Sequence, residues 1–186
     1  FAAAAVAVVL DTGVFISQIL YHRGSAQLHW QRFDAAERSL RWGERLAPWN
    51  AQFARERGAA SLGMQRWAEA ETHLERSLQK NPNYLMTLVT MGRAKLSAGI
   101  ALAASAGGAG AAQDKLAEGG AYLQRALALC PGFALAEECL GRIAAARALA
   151  LSQGPGAAGA ARQIEDCWRE AEMRFTTSLQ SGAKAS

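Results

Sequence analysis

The sequence predicts an all-α protein built from repeated pairs of helices, with a hydrophobic helix before the first pair. Alanine is abundant and only four residues are proline, a composition that favours helix over strand. Hydrophobic residues make up 51% of the 186 residues, which is enough to bury a core. Several residue types also recur at one fixed period along the chain, as expected of a repeated structural unit.

The composition also excludes several classes of protein. A net charge of +4 is mild and does not predict nucleic-acid binding. Three cysteines are too few for a disulfide framework or a four-cysteine zinc site. We expect Cys130, Cys139 and Cys167 to be small buried residues, with a Cys130–Cys139 disulfide as the alternative.

Residues 1–20 form the first predicted element, a hydrophobic helix with one ionisable side chain, Asp11. A helix of this length spans about 30 Å, close to the thickness of a bilayer core. Its first half is mostly alanine, which is only weakly hydrophobic, and a charge in mid-membrane is costly. The segment is thus a marginal membrane helix. On its length and its single ionisable group we predict a membrane anchor, with a helix buried in a protein assembly as the alternative.

The helix pairs that follow are predicted from a period of 34 residues. Glycine in a helix costs about 1 kcal/mol relative to alanine, so a recurring glycine indicates close approach of a second helix. Recurring large residues fill the space between helices, and recurring prolines end the second helix. We accordingly expect Trp67 and Trp168 to lie in the core. The positions that share the period are Gly24, Gly58 and Gly92, Phe33 and Trp67, Ala36 and Ala70, Leu40 and Leu74, and Pro48 and Pro82.

The segment from Leu62 to Tyr84, LGMQRWAEAETHLERSLQKNPNY, resembles the second half of a tetratricopeptide repeat (TPR). The resemblance implies a right-handed α-solenoid of about four helix–turn–helix units. Repeats three and four carry 15 and 18 extra residues between their two helices. The predicted divisions are an anchor helix at 1–20, repeats at 17–50, 51–84, 85–133 and 134–180, and a tail at 181–186.

The two insertions are rich in alanine, so we expect them to extend the helices of the last two repeats. The alternative is a disordered linker of low complexity. No polar helix follows repeat four to cover its outer face, which indicates a covering partner or a cap that was removed. The helix breaks are predicted at Gly107, Gly108 and Gly110, and at Gly154, Pro155 and Gly156.

No catalytic group, metal site or cofactor site is predicted. His22, His29 and His73 have no Cys or carboxylate partner at ligand spacing, and no phosphate-binding glycine motif is present. Trp30, Trp42 and Trp49 lie outside the repeat's packing positions. They are interpreted as interfacial anchors or partner contacts, with ordinary packing between helices as the alternative.

The resemblance to TPR proteins implies a partner-binding groove lined by the first helix of each repeat. A set of lysine and asparagine clamps acidic C-terminal tails in some family members, but Tyr21 and Ser25 occupy those positions here. The groove instead mixes apolar residues with arginine, which suits an extended or helical segment with some negative charge. The predicted groove residues are Gln18, Tyr21, Ser25, Leu28, Arg55, Leu62, Met86, Val89, Arg93, Leu96, Glu138 and Arg142.

The predicted function is a non-catalytic TPR scaffold that mediates protein–protein interaction. It would be an accessory or assembly subunit of a membrane complex, binding its other subunits and attached to the membrane through residues 1–20. One alternative is the C-terminal TPR portion of a polytopic bacterial glycan ligase or polymerase of the O-antigen ligase type. Another is an assembly factor of cytochrome c maturation or secretion machinery.

The expected location is the bacterial inner membrane. Resemblance to N-anchored bacterial TPR proteins places the repeats in the periplasm. Arg23 and Arg32 lie next to the predicted anchor and favour the cytoplasmic side instead, although a large domain translocates largely regardless of charge.

Overall fold

The computed structural model describes residues 2–105, 108–153 and 159–185. These residues form eight α-helices and no strand, so the predicted all-α fold is confirmed. The helices are α1 (Ala2–His29), α2 (Phe33–Leu46), α3 (Ala51–Gly63), α4 (Trp67–Lys80), α5 (Leu85–Ala103), α6 (Ala109–Leu129), α7 (Ala134–Gln153) and α8 (Ala161–Ala185).

The chain divides into two compact units. The first unit ends at Thr87 and the second begins at Leu88, so the division falls near the start of α5. Helices α1 to α4 belong to the first unit. Most of α5, together with α6, α7 and α8, belongs to the second unit.

In the first unit, each helix pair closes on a glycine of its first helix. A Cβ atom built on Gly24 would lie 2.6 Å from Cγ of Leu40, and one on Gly58 would lie 2.6 Å from Cγ of Leu74. No larger residue fits at either position without displacing the leucine. The close approach that the recurring glycines predicted is therefore present.

The second unit repeats this contact at a longer spacing. Gly92 faces Leu123 and Gly141 faces Phe175, with built Cβ contacts of 2.5 and 2.9 Å. The paired residues are 16 positions apart in the first unit, and 31 and 34 positions apart in the second. The differences equal the lengths of the two predicted insertions, so each insertion lies between the two helices of a pair.

The insertions extend the helices, as predicted. Helices α5 to α8 have 19, 21, 20 and 25 residues, whereas α2, α3 and α4 have 14, 13 and 14. Gly110 was expected in a helix break, but it lies in the first turn of α6. Gly108 is the N-cap residue of that helix. The predicted breaks at Gly107 and at 154–156 lie outside the described residues.

Trp67 and Trp168 are less buried than the repeat pattern predicted. Trp67 is half-buried, and Trp168 is 46% exposed. The equivalent residue of the first pair, Phe33, lies against Gly63 of α3. No described helix follows α8 to cover Trp168 in the same way. The expectation of a core position was therefore wrong for Trp168, because its burial depends on an element that would follow it.

The turns α1–α2 and α3–α4 each hold a glutamine in the left-handed backbone region. Gln31 has φ of 55° and Gln65 has φ of 59°. The next amide closes each turn, from Arg32 to the Gln27 carbonyl and from Arg66 to the Ser61 carbonyl. This is the Schellman arrangement, in which glycine is preferred.

Replacing Gln65 by glycine should therefore stabilise the protein. Relief of the left-handed strain is worth about 1–2 kcal/mol, and the greater freedom of glycine in the unfolded chain offsets part of it. We expect a net gain of about 0.5–1 kcal/mol in urea denaturation. Gln65→Ala is the control and should give no gain, because alanine keeps the strained φ.

Candidate functional site

In the first unit, the predicted groove residues Tyr21 and Arg55 form a polar network with Glu56. The Tyr21 hydroxyl donates to Oε1 of Glu56 at 3.2 Å, and Nη2 of Arg55 donates to the Tyr21 oxygen at 3.3 Å and to Glu56. Burial and the nearby Glu56 carboxylate raise the pKa of Tyr21. Burial opposes the charge of Arg55, but the same carboxylate raises the pKa of Arg55 above its usual value.

This network changes the interpretation of Arg55. The sequence predicted a cation that faces a partner, whereas the structure pairs Arg55 with the buried Glu56. Its guanidinium also lies 5.7 Å from the centre of the Tyr84 ring. Arg55 therefore acts within the fold. Little in the sequence indicates that Glu56 is buried, because only its position on the inner face of α3 distinguishes Glu56 from a solvent-exposed glutamate.

A second charged network, which the sequence analysis missed, joins α2, α3 and α4. Arg57 donates from Nη2 to Glu37 at 2.7 Å and from Nη1 to Glu44 at 2.6 Å. Nζ of Lys80 donates to the other oxygen of Glu44 at 2.9 Å. Burial alone would raise the pKa of Glu37 and Glu44, but Arg57 acts together with Arg41 on Glu37 and with Lys80 on Glu44, and these cations jointly lower the pKa of both.

The remaining predicted groove residues differ in accessibility. Val89 and Leu96 are fully buried, so they belong to the core and cannot reach a partner from this fold. Their apolar character fits both roles, and the repeat pattern alone could not separate them. Gln18 is exposed, whereas Ser25, Leu28, Leu62 and Met86 are half-buried.

In the second unit, the predicted groove residues Arg93 and Arg142 are exposed. Burial raises the pKa of the Cys139 thiol, and both guanidinium groups act against that rise. Arg93 on α5 and Arg142 on α7 therefore lie within electrostatic range of the same sulfur atom. Neither arginine has a carboxylate partner among the described residues. Glu138 is half-buried, and its carboxylate raises the pKa of the Cys139 thiol.

Arg142 also borders an apolar cavity of about 410 Å³ in the second unit. Ile100 and Leu149 are half-exposed at its edge. Both lie in the parts of α5 and α7 that the insertions lengthen. The alanine content of the insertions is the sequence signal for this cavity, because small side chains leave space between helices. The lining residues are Ile100, Ala103, Ala104, Leu116, Arg142, Ala145, Ala146, Leu149, Ala150 and Phe175.

Three tryptophans of the first unit are largely exposed. Trp30, Trp42 and Trp49 are 73%, 59% and 63% accessible to solvent. Ordinary packing between helices, the alternative interpretation of these residues, is therefore wrong within this fold. Their use as anchors or partner contacts stays a prediction.

The described part of the chain offers no evident site for a metal. Within it, no group of three or more His, Cys, Asp and Glu residues converges. Cys130, Cys139 and Cys167 are free thiols, of which only Cys139 is fully buried. The Cys130–Cys139 disulfide is thus not formed in this structure.

One described helix, α5, has the length and apolar composition needed to cross a membrane. The apolar stretch of α5 is 61% buried within the structure, as is common for a helix in the core of a protein. The same criterion does not select α1 from the residues described. The predicted N-terminal membrane helix therefore has no support from this criterion.

Comparisons with known proteins identify the fold. No family model and no curated protein matches the sequence. The first TPR domain of human RPAP3 matches with a TM-score of 0.63 and 20% identity, over 75% of this chain and 98% of that one. MamA matches with a TM-score of 0.60 and 18% identity, over 91% and 80%. The first TPR of Spaghetti (RPAP3), bound to the HSP90 peptide SRMEEVD, matches with a TM-score of 0.59 and 20% identity, over 70% and 91%.

The chain therefore has the helical-hairpin fold of TPR domains. At these identities the likeness establishes the fold alone. It agrees with the repeat pattern in the sequence and with the glycine contacts of the helix pairs.

Proposed function

We propose that the protein is a scaffold that binds a protein segment through the second unit. The observation that carries the proposal is Arg142, which borders the apolar cavity and has no carboxylate partner in the part of the chain that the structure describes. Arg93, which has no carboxylate partner among the described residues, adds a second guanidinium that acts on the same Cys139 thiol as Arg142. A cation beside an apolar cavity suits a segment in which an acidic residue lies close to a bulky apolar one.

The cavity supports a side-chain subsite. Alanines line much of it, and Ile100, Leu149 and Phe175 leave apolar surface accessible to solvent. Covering such surface with an apolar side chain is favourable, at about 25 cal/mol per Å² removed from water. The SRMEEVD peptide bound to one structural neighbour also combines acidic residues with methionine and valine.

Peptide-library selection with the full chain as bait tests this proposal. Selected peptides should combine an acidic and a bulky apolar residue. Exchanging both Arg93 and Arg142 for glutamate should weaken their binding at least about tenfold, because a charge-assisted hydrogen bond contributes about 1.5–3 kcal/mol. The loss should be larger at low salt, since screening weakens the lost attraction.

The matched control exchanges Arg162 and Arg169 on α8 for glutamate. Both are exposed, and the pair gives the same change in net charge. Peptide affinity should stay within about twofold of the wild type, because exposed charges away from a contact contribute little. Equal losses in the two double variants would contradict a specific site.

A second proposed role is attachment to a membrane through α1, as a subunit of a membrane complex. Val14, Phe15, Ile16 and Ile19 are exposed on this helix. A run of exposed apolar residues on a soluble domain marks a contact with protein or lipid. Location at a bacterial inner membrane, with the repeats in the periplasm, is proposed with this role. No described feature favours the glycan-ligase alternative, which stays a prediction.

A further inference from the structure

A second exposed apolar surface of the first unit lies at the C-terminal end of α2. Trp42 and Leu46 are one helical turn apart on this helix, and Trp49 follows in the next turn of the chain. All three are exposed. None of these three side chains packs in the hydrophobic core.

The register of α1 and α2 places the end of this surface at the level of the exposed apolar part of α1. Gly24 faces Leu40, and the Ser39 hydroxyl donates to Oε1 of Gln27 at 2.8 Å. The two helices therefore run antiparallel, and residues later in α2 are level with residues earlier in α1. By this register Leu46 is level with about Gln18.

Trp49 lies three residues beyond the end of α2, and this is the end of the helix that is level with the exposed apolar part of α1. Leu46 is thus level with the apolar part of α1 from Val14 to Ile19, and Trp42 lies about 6 Å further along the helix axis, at 1.5 Å per residue. Trp30 lies at the opposite end of the helix pair, about 20 Å from Phe15 on the same scale.

Positive charge accompanies the tryptophans. The Arg45 guanidinium lies 4.8 Å from the centre of the Trp42 ring, and Arg23 is exposed at nearly the same level on α1. Neither arginine has a carboxylate partner among the residues described. The nearby Glu44 is neutralised by Arg57 and Lys80.

We infer that this surface, formed by Arg23, Trp42, Arg45, Leu46 and Trp49, lies in the headgroup layer of an anionic phospholipid bilayer. The exposed apolar part of α1 enters the same bilayer, so the inference rests on the membrane attachment proposed above. Tryptophan favours the membrane interface, and arginine near it is attracted to anionic lipid.

The order of these residues along one axis favours a bilayer over a protein partner. By this register the apolar side chains of α1 come first, and Trp42 and Arg23 follow at a common level about 6 Å further along. A bilayer has the same order with depth, from acyl chains through the interface to charged headgroups. Asp11 is the one acidic residue of α1, and none lies from Thr12 to His29 to oppose an anionic surface.

The test measures co-sedimentation of the purified full chain with vesicles of equal parts phosphatidylcholine and phosphatidylglycerol. Replacing Trp42 and Trp49 together by alanine should weaken binding at least about tenfold, since both rings leave the interface. Trp30→Ala is the matched control, equally exposed at the far end, and should change binding less than about twofold. Circular dichroism checks that each variant keeps its helices.

A second experiment tests whether the positive charge of Arg23 and Arg45 contributes to binding of anionic lipid. Vesicles of phosphatidylcholine alone should bind the wild-type chain more weakly than the mixed vesicles. Replacing Arg23 and Arg45 by glutamine should remove about 2 kcal/mol of that preference, or about thirtyfold, at about 1 kcal/mol per basic residue. Brominated lipid should quench tryptophan fluorescence less in the Trp42 and Trp49 double variant than in the Trp30 variant.

The outcomes separate the two proposals. Vesicle binding that is unchanged in the Trp42 and Trp49 double variant would overturn this inference and leave attachment through α1 standing. No vesicle binding by the wild-type chain would overturn both. Equal losses in the double variant and in Trp30→Ala would indicate non-specific adsorption of aromatic rings and would also overturn the inference.

Discussion

Replacing Phe53 by alanine is expected to destabilise the first unit by about 3–5 kcal/mol. Phe53 has no exposed surface, and its ring fills the space that the absent side chain of Gly43 leaves on α2. It also meets the Tyr21 ring edge to face, with centroids 5.7 Å apart. Loss of the ring removes apolar burial and opens a cavity between α1, α2 and α3.

Urea denaturation followed by circular dichroism measures this loss. Trp49→Ala is the control, because Trp49 is a larger aromatic residue only four positions earlier but is mostly exposed. Its replacement should cost less than about 0.5 kcal/mol. If Phe53→Ala cost no more than the Trp49 variant, the assignment of the core in the first unit would be wrong.

Replacing Arg57 by methionine should cost about 3 kcal/mol, the lower end of the range for a broken buried pair. The change leaves Glu37 without its buried partner and Glu44 with only Lys80. Arg41→Met is the matched control, because Arg41 pairs with the same Glu37 at 3.0 Å but its side chain is 54% exposed, against 12% for Arg57. The control should cost less than about 1 kcal/mol.

The dependence of stability on pH gives a further readout for Arg57. The folded protein lowers the pKa of Glu37 and Glu44 below their unfolded value of about 4.5. The stability they contribute is present above that pH and is lost as the pH falls through the folded pKa values. Arg57→Met should therefore lose most near neutral pH and less in acid. An equal loss at both pH values would contradict an electrostatic cause.

The helix pairs were predictable because their signal is local and periodic. Gly24 and Gly58 recur at the repeat length, and each meets a leucine of the next helix in the structure. The insertions were predictable for the same reason. Pro131 follows the second helix of repeat three and lies 49 residues after Pro82, so its displacement from the 34-residue period gives the extra length, and alanine content gives the helical state.

The candidate site was less predictable, because accessibility depends on neighbours that no periodicity encodes. Val89 and Leu96 have repeat positions typical of a groove, yet they are buried. Arg55 and Arg93 were both predicted to line the groove, yet of the two only Arg55 has a carboxylate partner among the described residues. The cavity beside Arg142 arises from small side chains on several helices, and a single sequence does not show how these meet.

The most direct test of the scaffold proposal is a structure of the full chain bound to a selected acidic and apolar peptide. The measured quantity is the distance from the Arg142 guanidinium to the nearest peptide carboxylate. We expect hydrogen-bond contact there, at about 2.7–2.9 Å, with an apolar peptide side chain between Ile100 and Leu149. A peptide bound elsewhere on the chain, with Arg142 in solvent and the cavity unfilled, would contradict it.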